Sequence, residues 1–291
     1  MSARRLSVRK AVIPAAGFGT RFLPATKAVP KEMVPVVDKP MIQYAVEEAI
    51  GSGIGSIGLV TSRWKTSISE HFGHSPELER FLAGKGRTGL LAELAAIGRP
   101  AEFAVIDQPE QRGLGHAVLM AETFAAGEPV AVLNPDTIYD CPVPCLRQLL
   151  DVFEAKGASV VVLGRISPEA TRRHAVVRAR PVADRVFKLL DMIEKPGTDA
   201  APSDLAILGR YVLTPGIFDA IRATAPGTGG EIQITDAIKI LSASEPVFGV
   251  LFEGKRYDAG DKFGYLEATV NLALKRPEFG DRLRELLKTL I

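Results

Sequence analysis

The sequence predicts an α/β fold in which a doubly wound, mostly parallel mixed sheet is followed by a smaller, partly antiparallel lobe. Up to about residue 165, short apolar and β-branched runs alternate with segments of helical periodicity, the pattern of parallel strands joined by helices. From about residue 166, strand-like segments follow one another with little helix between them, which indicates antiparallel pairing. No repeat and no long linker interrupts the 291 residues, so we expect a single domain with two lobes and a cleft between them.

The predicted strands are short apolar runs bounded by turn residues, and the predicted helices have apolar residues every three or four positions. Strands are expected at residues 11–16, 56–61, 102–106, 130–133, 158–163, 174–180, 186–193, 205–213 and 247–252. Helices are expected at residues 40–50, 113–124, 146–155, 215–223, 234–241, 263–273 and 282–290, with shorter helical patterns within 64–100.

One stretch, residues 10–35, combines an apolar strand with a glycine-rich turn and several cations. After the strand come Gly17 and Gly19, whose missing side chains let backbone N–H groups close around phosphate oxygens. Arg21, Lys27 and Lys31 follow at spacings that a folded-back loop can direct at the same anion. An ordinary strand-to-loop connection is the alternative for a lone Gly-x-Gly, but the three cations favour a triphosphate site.

Two common phosphate-binding motifs are excluded in this stretch. The dinucleotide fingerprint requires a third glycine three residues after the second, where Phe22 stands. The Walker A loop ends in Gly-Lys-Ser/Thr, and no such tripeptide occurs here.

The composition is that of an ordinary globular protein, with 46% hydrophobic and 24% charged residues. A net charge of +2 gives no reason to expect nucleic acid or an anionic membrane surface as a partner. No apolar run approaches the roughly 18 residues of a membrane span, and the run after the basic N-terminus is short for a signal peptide. We therefore expect a cytoplasmic protein. Cys141 and Cys145, with three residues between them, are expected to be free structural thiols.

The glycine-rich stretch resembles the signature of the sugar-1-phosphate nucleotidyltransferases. The shared string is G-x-G-T-R-x-x-P-x-T-K-x-x-P-K-E-M, and further blocks match in family order at residues 113–117, 194–196, 205–213, 231–238 and 254–265. The resemblance implies a Rossmann-like, GT-A-like fold. Its nucleotide-binding lobe would be residues 1–165, its sugar-binding lobe residues 166–260, and its C-terminal helices residues 261–291, within a single domain.

The activity that this resemblance implies is uridylyl transfer from UTP to glucose 1-phosphate with Mg²⁺ as cofactor. The alternatives are the same chemistry with dTTP, CTP or another sugar 1-phosphate, and a non-catalytic regulatory relative. One departure from the family pattern bears on the sugar: His174 and Ala175 stand where Tyr-Gly is common. Asn134 and Thr137, on either side of a predicted metal ligand, also differ from the common residues.

Site residues follow from the resemblance, position by position. The catalytic residues would be Arg21, Lys31 and Lys195. The nucleotide would be bound by Ala15, Ala16, Gly17, Gly19, Thr20, Gln108, Gly113 and Asp136. The sugar phosphate would be bound by Glu194, Lys195, Gly209 and Glu231, and the metal by Asp136 and Asp258.

The residues themselves support these roles to different degrees. Asp136 follows a predicted strand, where ligands collect in open α/β sheets, although Asn-Pro-Asp-Thr is also good turn chemistry. Asp258 would otherwise be a helix N-cap. The amide of Gln108 can both donate to and accept from uracil, but it also fits a polar loop. Glu194 and Lys195 suit sugar hydroxyls and a phosphate, or mere solvation.

The two C-terminal helices carry apolar stripes that predict self-association. The stripes consist of Leu266, Val270 and Leu274 in the first helix, and of Leu283, Leu286, Leu287 and Leu290 in the second. Such stripes often cover the protein's own core, but two in succession after a complete domain favour a symmetric homodimer or homotetramer.

Overall fold

The computed structural model of the protein describes residues 7–290. Residues 1–6 of the basic N-terminal segment, which was considered as the start of a signal peptide, lie outside the described residues. The strands are β1 Lys10–Pro14, β2 Pro35–Val36, β3 Lys39–Pro40, β4 Ser56–Thr61, β5 Glu102–Asp107, β6 Val130–Leu133, β7 Thr137–Asp140, β8 Val160–Arg165, β9 Val176–Ala183, β10 Val186–Ile193, β11 Leu205–Leu213, β12 Phe248–Leu251 and β13 Lys255–Asp258. The helices are α1 Met41–Gly51, α2 Thr66–His71, α3 Pro76–Gly84, α4 Thr88–Ala96, α5 Gly113–Met120, α6 Glu122–Ala125, α7 Cys145–Lys156, α8 Gly216–Ala223, α9 Ile234–Leu241, α10 Lys262–Ala273 and α11 Gly280–Leu290.

A nine-stranded sheet forms the centre of the molecule, in the order β5-β4-β1-β6-β11-β8-β12-β10-β9. All of its strands run in one direction except β10 and β11. Two small antiparallel pairs, β13 with β7 and β2 with β3, lie outside this sheet. The predicted mixed, mostly parallel sheet is therefore confirmed.

Helices cover both faces of the sheet because alternate residues of each strand point to opposite sides. Val12 of β1 packs in the cluster that includes α5, α8 and α9. Its neighbours Ala11 and Ile13 pack in the cluster that includes α1 and α7. A third, smaller cluster joins the glycine-rich stretch, β13 and α10. No helix within residues 7–290 is long and apolar enough to cross a membrane.

Most predicted elements lie within two residues of their expected bounds, and the differences have local causes. The expected helix at residues 113–124 is two helices, α5 and α6, with a break at Ala121. The expected strand at residues 174–180 begins only at Val176. The pair β7–β13 was not predicted, because each strand has only four residues and mixes polar with apolar side chains.

The first lobe directs four connections to one edge of the sheet. The segments that follow β1, β4, β5 and β6 all leave the carboxyl ends of parallel neighbours. Ligands bind at this edge in open α/β sheets, and the predicted residues of the glycine-rich stretch, Gln108 and Asp136 all lie there.

Candidate active site

Two adjoining cavities open at this edge, with volumes of about 280 Å³ and 200 Å³. Leu114, Asn134 and Asp136 line both of them. Predicted residues that line the first cavity are Ala16, Gly17, Lys31, Gln108, Gly113, Asp136 and Glu231. Predicted residues that line the second are Arg21, Asp136, Glu194, Lys195, Gly209 and Asp258.

A buried lysine holds the backbone of the glycine-rich turn. Lys65 Nζ donates to the carbonyl oxygens of Ala15 at 2.7 Å and Gly17 at 2.5 Å, and to Glu32 Oε2 at 3.0 Å. The side chains of Lys65 and Glu32 are each only 1% exposed. Burial raises the pKa of Glu32 and lowers the pKa of Lys65, although each partner's charge opposes the shift. This ion pair ties residues 15–17 to residue 32 and so fixes the shape of the loop.

The turn folds back closely enough to bring Lys31 to Asp136. Gly19 has φ of 64°, and a Cβ there would lie 2.9 Å from Lys31 Cβ, so only glycine allows this approach. Lys31 Nζ lies 2.7 Å from Asp136 Oδ2. Burial alone would raise the pKa of Asp136, but the Lys31 ammonium holds it below its usual value. Asp136 is therefore an ionised carboxylate at neutral pH.

The two predicted metal ligands face each other across a glycine. A Cβ on Gly260 would lie 2.9 Å from Asp136 Oδ2 and 3.1 Å from Asp258 Oδ1, so the two oxygens bracket a space that no side chain fills. The alternative role of Asp258 as a helix cap is filled by Asp261, whose Oδ1 accepts from Gly264 N at the start of α10. A pair of carboxylates around an open space is a donor set that suits Mg²⁺.

Within residues 7–290 no group of three or more His, Cys, Asp or Glu residues could hold a metal alone. Two protein carboxylates would therefore be completed by ligand oxygens and water, as is usual for Mg²⁺. Two buried polar atoms near Asp136, Asn134 Oδ1 and Arg256 Nε, have no hydrogen-bond partner within the described residues. Both residues line the second cavity.

Gln108 lines the first cavity together with Gly113. Gln108 Nε2 lies 3.0 Å from Nδ1 of the buried His116 and 3.4 Å from the Gly113 carbonyl oxygen. These two contacts orient the Gln108 amide, and its expected role in recognising uracil stays a prediction. Gly113 has φ of 92° and packs against the backbone of Ile232, where a Cβ would clash.

Cationic and carboxylate side chains, among them Lys195 and Glu194, line the second cavity. Lys195 adopts φ of 46°, which residues other than glycine rarely adopt, and its N–H donates to the His174 carbonyl oxygen at 3.2 Å. Glu194 Oε2 accepts from Thr235 Oγ1 at 2.8 Å. Burial, together with the nearby Arg256, lowers the pKa of His174 to about 4, so its ring is neutral at pH 7. The backbone held at Lys195 is typical of functional sites.

Four predicted residues lie elsewhere than expected. Ala15 and Gly19 shape the loop through their backbones but line neither cavity, and the exposed Thr20 begins a 3-10 turn. Glu231, expected beside the sugar phosphate, lines the first cavity next to Gly113 and accepts from Gln233 Nε2.

Sequence reasoning missed several residues that line or support the cavities. They are Glu32, Glu48, Lys65, Gln111, Asn134, Arg210, Thr235 and Arg256. One of them carried a usable signal. Arg210 is the only charged residue in the apolar strand β11, and a buried charge requires partners.

Comparison with known proteins decides the family. A family model described as "Nucleotidyl transferase" matches residues 10–275. The chain belongs to this nucleotidyl transferase family. The curated UTP–glucose-1-phosphate uridylyltransferase YngB of Bacillus subtilis is 47% identical to this nucleotidyl transferase over 287 residues, which cover 99% of this chain and 97% of that protein.

Solved structures agree with this assignment. A UTP-bound UGPase from Acinetobacter baumannii has a TM-score of 0.90 and 36% identity, and the match covers 98% of this chain and all of that one. A UDP-glucose pyrophosphorylase complexed with UDP-glucose has a TM-score of 0.85 and 38% identity, with 92% of this chain covered and all of that one. Nucleotidyl transferases of this family generally use a divalent metal ion.

Proposed function

We propose that the protein transfers the uridylyl group of UTP to glucose 1-phosphate, forming UDP-glucose and diphosphate, with Mg²⁺ as cofactor. One observation supports this most directly: the two cavities adjoin at Asp136, with the glycine-rich loop in one and Lys195 in the other. A nucleotide in the first cavity and a sugar phosphate in the second would bring their phosphates together at that carboxylate. The relatives named above act on, or are bound to, these compounds.

The first cavity would bind UTP. Gln108 Oε1 accepts the N3–H of uracil, and this contact discriminates against cytosine, whose N3 carries no hydrogen. Gly113 lines the same cavity as Gln108, and its backbone would contact the base. Backbone N–H groups of Ala16 and Gly17 contact the triphosphate, and Lys31 and Arg21 neutralise its charge.

The second cavity would bind glucose 1-phosphate. Lys195 neutralises the phosphate, and Glu194, oriented by Thr235, accepts hydrogen bonds from sugar hydroxyls. The phosphate oxygen attacks the α-phosphorus of UTP in line, and diphosphate leaves on the opposite side. Because this oxygen is already anionic at neutral pH, no general base and no covalent intermediate is required. Catalysis follows from positioning and from charge stabilisation by Arg21, Lys31 and Lys195.

Mg²⁺ would be held by Asp136 and Asp258, where it supplies Lewis-acid stabilisation of the phosphate oxygens and a template for the two substrates. Lys31 keeps Asp136 ionised, which is the state that binds a cation.

The proposed organisation is one nucleotidyltransferase domain, active in the cytoplasm as a homodimer or homotetramer. No leucine of α11 is buried, and Leu286 and Leu290 are 52% and 70% exposed. An apolar helix face of this kind is expected to pack against a second copy. Sedimentation at micromolar concentration should show an oligomer that is lost when residues 278–291 are removed. Monomer alone, with no change on truncation, would contradict the proposed assembly.

The proposed activity is tested by a screen of diphosphate release. UTP, dTTP, CTP and ATP are each combined with several sugar 1-phosphates, with and without Mg²⁺. We expect the largest kcat/KM for UTP with glucose 1-phosphate, and none of this activity without a divalent metal. A preference for dTTP or another sugar 1-phosphate would correct the substrate. No release from any pair would identify a non-catalytic relative.

A further inference from the structure

Arg210 is completely buried in β11 and directs its guanidinium at the loop that carries Asp136. Nη1 donates to the Asn134 carbonyl oxygen at 2.9 Å, and Nη2 donates to the Thr137 carbonyl oxygen at 2.8 Å. These two carbonyl groups lie on either side of Asp136 in the sequence. The loop is thus held at both ends by a single planar group.

The same guanidinium contacts the backbone of a residue that lines the second cavity. Nη1 also donates to the carbonyl oxygen of Gly209 at 3.0 Å, and Gly209 lines the cavity proposed for the sugar phosphate. The Arg210 guanidinium lies 4.8 Å from the centre of the Tyr139 ring, within the range of a cation–π contact. Arg210 therefore connects the Asp136 loop, which lines both cavities, to Gly209 in the cavity proposed for the sugar phosphate.

Glu48 of α1 fixes the guanidinium from the other side. Arg210 Nε lies 3.1 Å from both carboxylate oxygens, and Nη2 lies 2.8 Å from Oε2. Glu48 Oε1 also accepts from Leu146 N in the first turn of α7. The pair is thus anchored in two helices. Only a planar fork with five N–H groups can reach all these acceptors at once, which the ammonium group of lysine cannot do.

We propose that Arg210, held by Glu48, is a positioning residue that fixes Asp136 for metal binding and couples it to the sugar side of the site. This inference rests on the proposed metal role of Asp136. Groups that orient metal ligands typically contribute tenfold to a hundredfold in metal affinity or activity. Arg210 acts here through the backbone of the loop and does not touch the substrate.

The first test replaces the fork but keeps the charge, with Arg210→Lys. Binding of Mn²⁺ in the presence of UTP, without sugar phosphate, is measured by electron paramagnetic resonance, and the Mg²⁺ dependence of kcat is measured separately. We expect Mn²⁺ affinity to fall by about tenfold or more. Leu241→Ala in α9 is the control, because it creates a cavity on the opposite face of the sheet. It should lower Tm without changing Mn²⁺ affinity.

The second test separates positioning from stability. Replacing a buried ion pair by apolar residues often restores stability, so Glu48→Leu with Arg210→Met should recover Tm relative to Arg210→Met. Mn²⁺ affinity should stay low in this double variant. Wild-type Mn²⁺ affinity in Arg210→Lys, or its return in the double variant, would overturn the inference. Absence of diphosphate release by a wild-type protein that binds Mn²⁺ would instead count against the proposed function.

Discussion

Two buried ion pairs support the site, and they differ in what they hold. The Lys65–Glu32 pair ties the segment after β4 to the glycine-rich stretch, because all three acceptors of Lys65 Nζ lie within residues 15–32. The Arg210–Glu48 pair joins separate elements, since its partners lie in α1, β11 and the loop after β6. The first pair therefore determines the shape of the glycine-rich loop. The second determines where the Asp136 loop lies relative to the rest of the molecule.

The chemistry of each cation suits its task. A lysine ammonium is a compact donor that three nearby acceptors can surround, whereas an arginine fork spans acceptors that lie farther apart. The charges also differ in how firmly they are held. Burial lowers the pKa of Lys65, whereas Glu48 outweighs burial and raises the pKa of Arg210. The Arg210 guanidinium therefore stays protonated at neutral pH.

The largest effect is expected at Asp136, which contacts Lys31 of the glycine-rich loop and lies in the loop that Arg210 holds. Asp136→Asn should lower Mg²⁺-dependent turnover on the order of a thousandfold, because the metal loses a carboxylate. Asp258→Asn is the matched variant, since it removes a proposed ligand while leaving the Lys31–Asp136 pair intact. Steady-state rates at saturating Mg²⁺ measure both effects, and circular dichroism checks the fold. A near-normal rate in either variant would exclude that carboxylate as a metal ligand.

A smaller effect is expected from the two cations of the glycine-rich loop. Lys31→Ala and Arg21→Ala should each lower kcat about a hundredfold, because the charges they face develop in the transition state. KM for UTP should change less than kcat. Lys27→Ala is a suitable control, because Lys27, although its spacing in the sequence predicts a role at the triphosphate, is exposed and lines neither cavity. An increase in KM alone would show that Lys31 and Arg21 only anchor the triphosphate.

Removing the lysine pair should have an intermediate effect and should leave metal affinity unchanged. Lys65→Met frees the loop backbone, so kcat/KM for UTP should fall about tenfold through lost positioning. Trp64, the only tryptophan in the chain, stacks on Phe18 of the loop at 6.0 Å, so its fluorescence should report the change. Mn²⁺ binding as weak as in Arg210→Lys would mean that the two pairs do not act separately.

The two thiols beside the arginine pair should react slowly with alkylating agents. Burial, with Glu48 nearby, raises the pKa of Cys141 to about 12 and that of the buried Cys145 well above its usual value. A raised pKa lowers the thiolate fraction, so alkylation at pH 8 should be roughly a thousandfold slower than for a free thiol. The rate should increase about tenfold per pH unit up to pH 11.

The alkylation rate of Cys145 distinguishes the effects of the two ion pairs. Alkylation of Cys145 should accelerate in Arg210→Lys, because its surroundings open, and should not change in Lys65→Met. Mass spectrometry of the labelled peptide measures both rates. Rapid labelling of wild-type Cys145 at pH 8 would contradict the close packing around Glu48.

The strands of the sheet could be predicted because their signals are local. The runs at residues 56–61, 130–133, 186–193 and 205–213 coincide with strands in the structure. The family motifs predicted residues that meet around the two cavities, including Lys31, Asp136 and Lys195. In these cases the residues that define an element, or a motif, stand next to one another in the sequence.

The supporting residues could not be predicted because their partners are distant in sequence. Lys65 stands 33 positions from Glu32, and Arg210 stands 162 positions from Glu48. Nothing near either residue indicates which acceptor it will meet.

The small pair β7–β13 has a consequence for how the protein is made. Asp258 pairs with Thr137 across it, so the two proposed metal ligands meet only when roughly 120 intervening residues have been looped back. Synthesis proceeds from the N-terminus, and the glycine-rich loop, Gln108 and Asp136 leave the ribosome long before Asp258. A nascent chain therefore cannot assemble both carboxylates until translation has passed residue 258, and an unfinished chain cannot consume nucleotide through the proposed metal site.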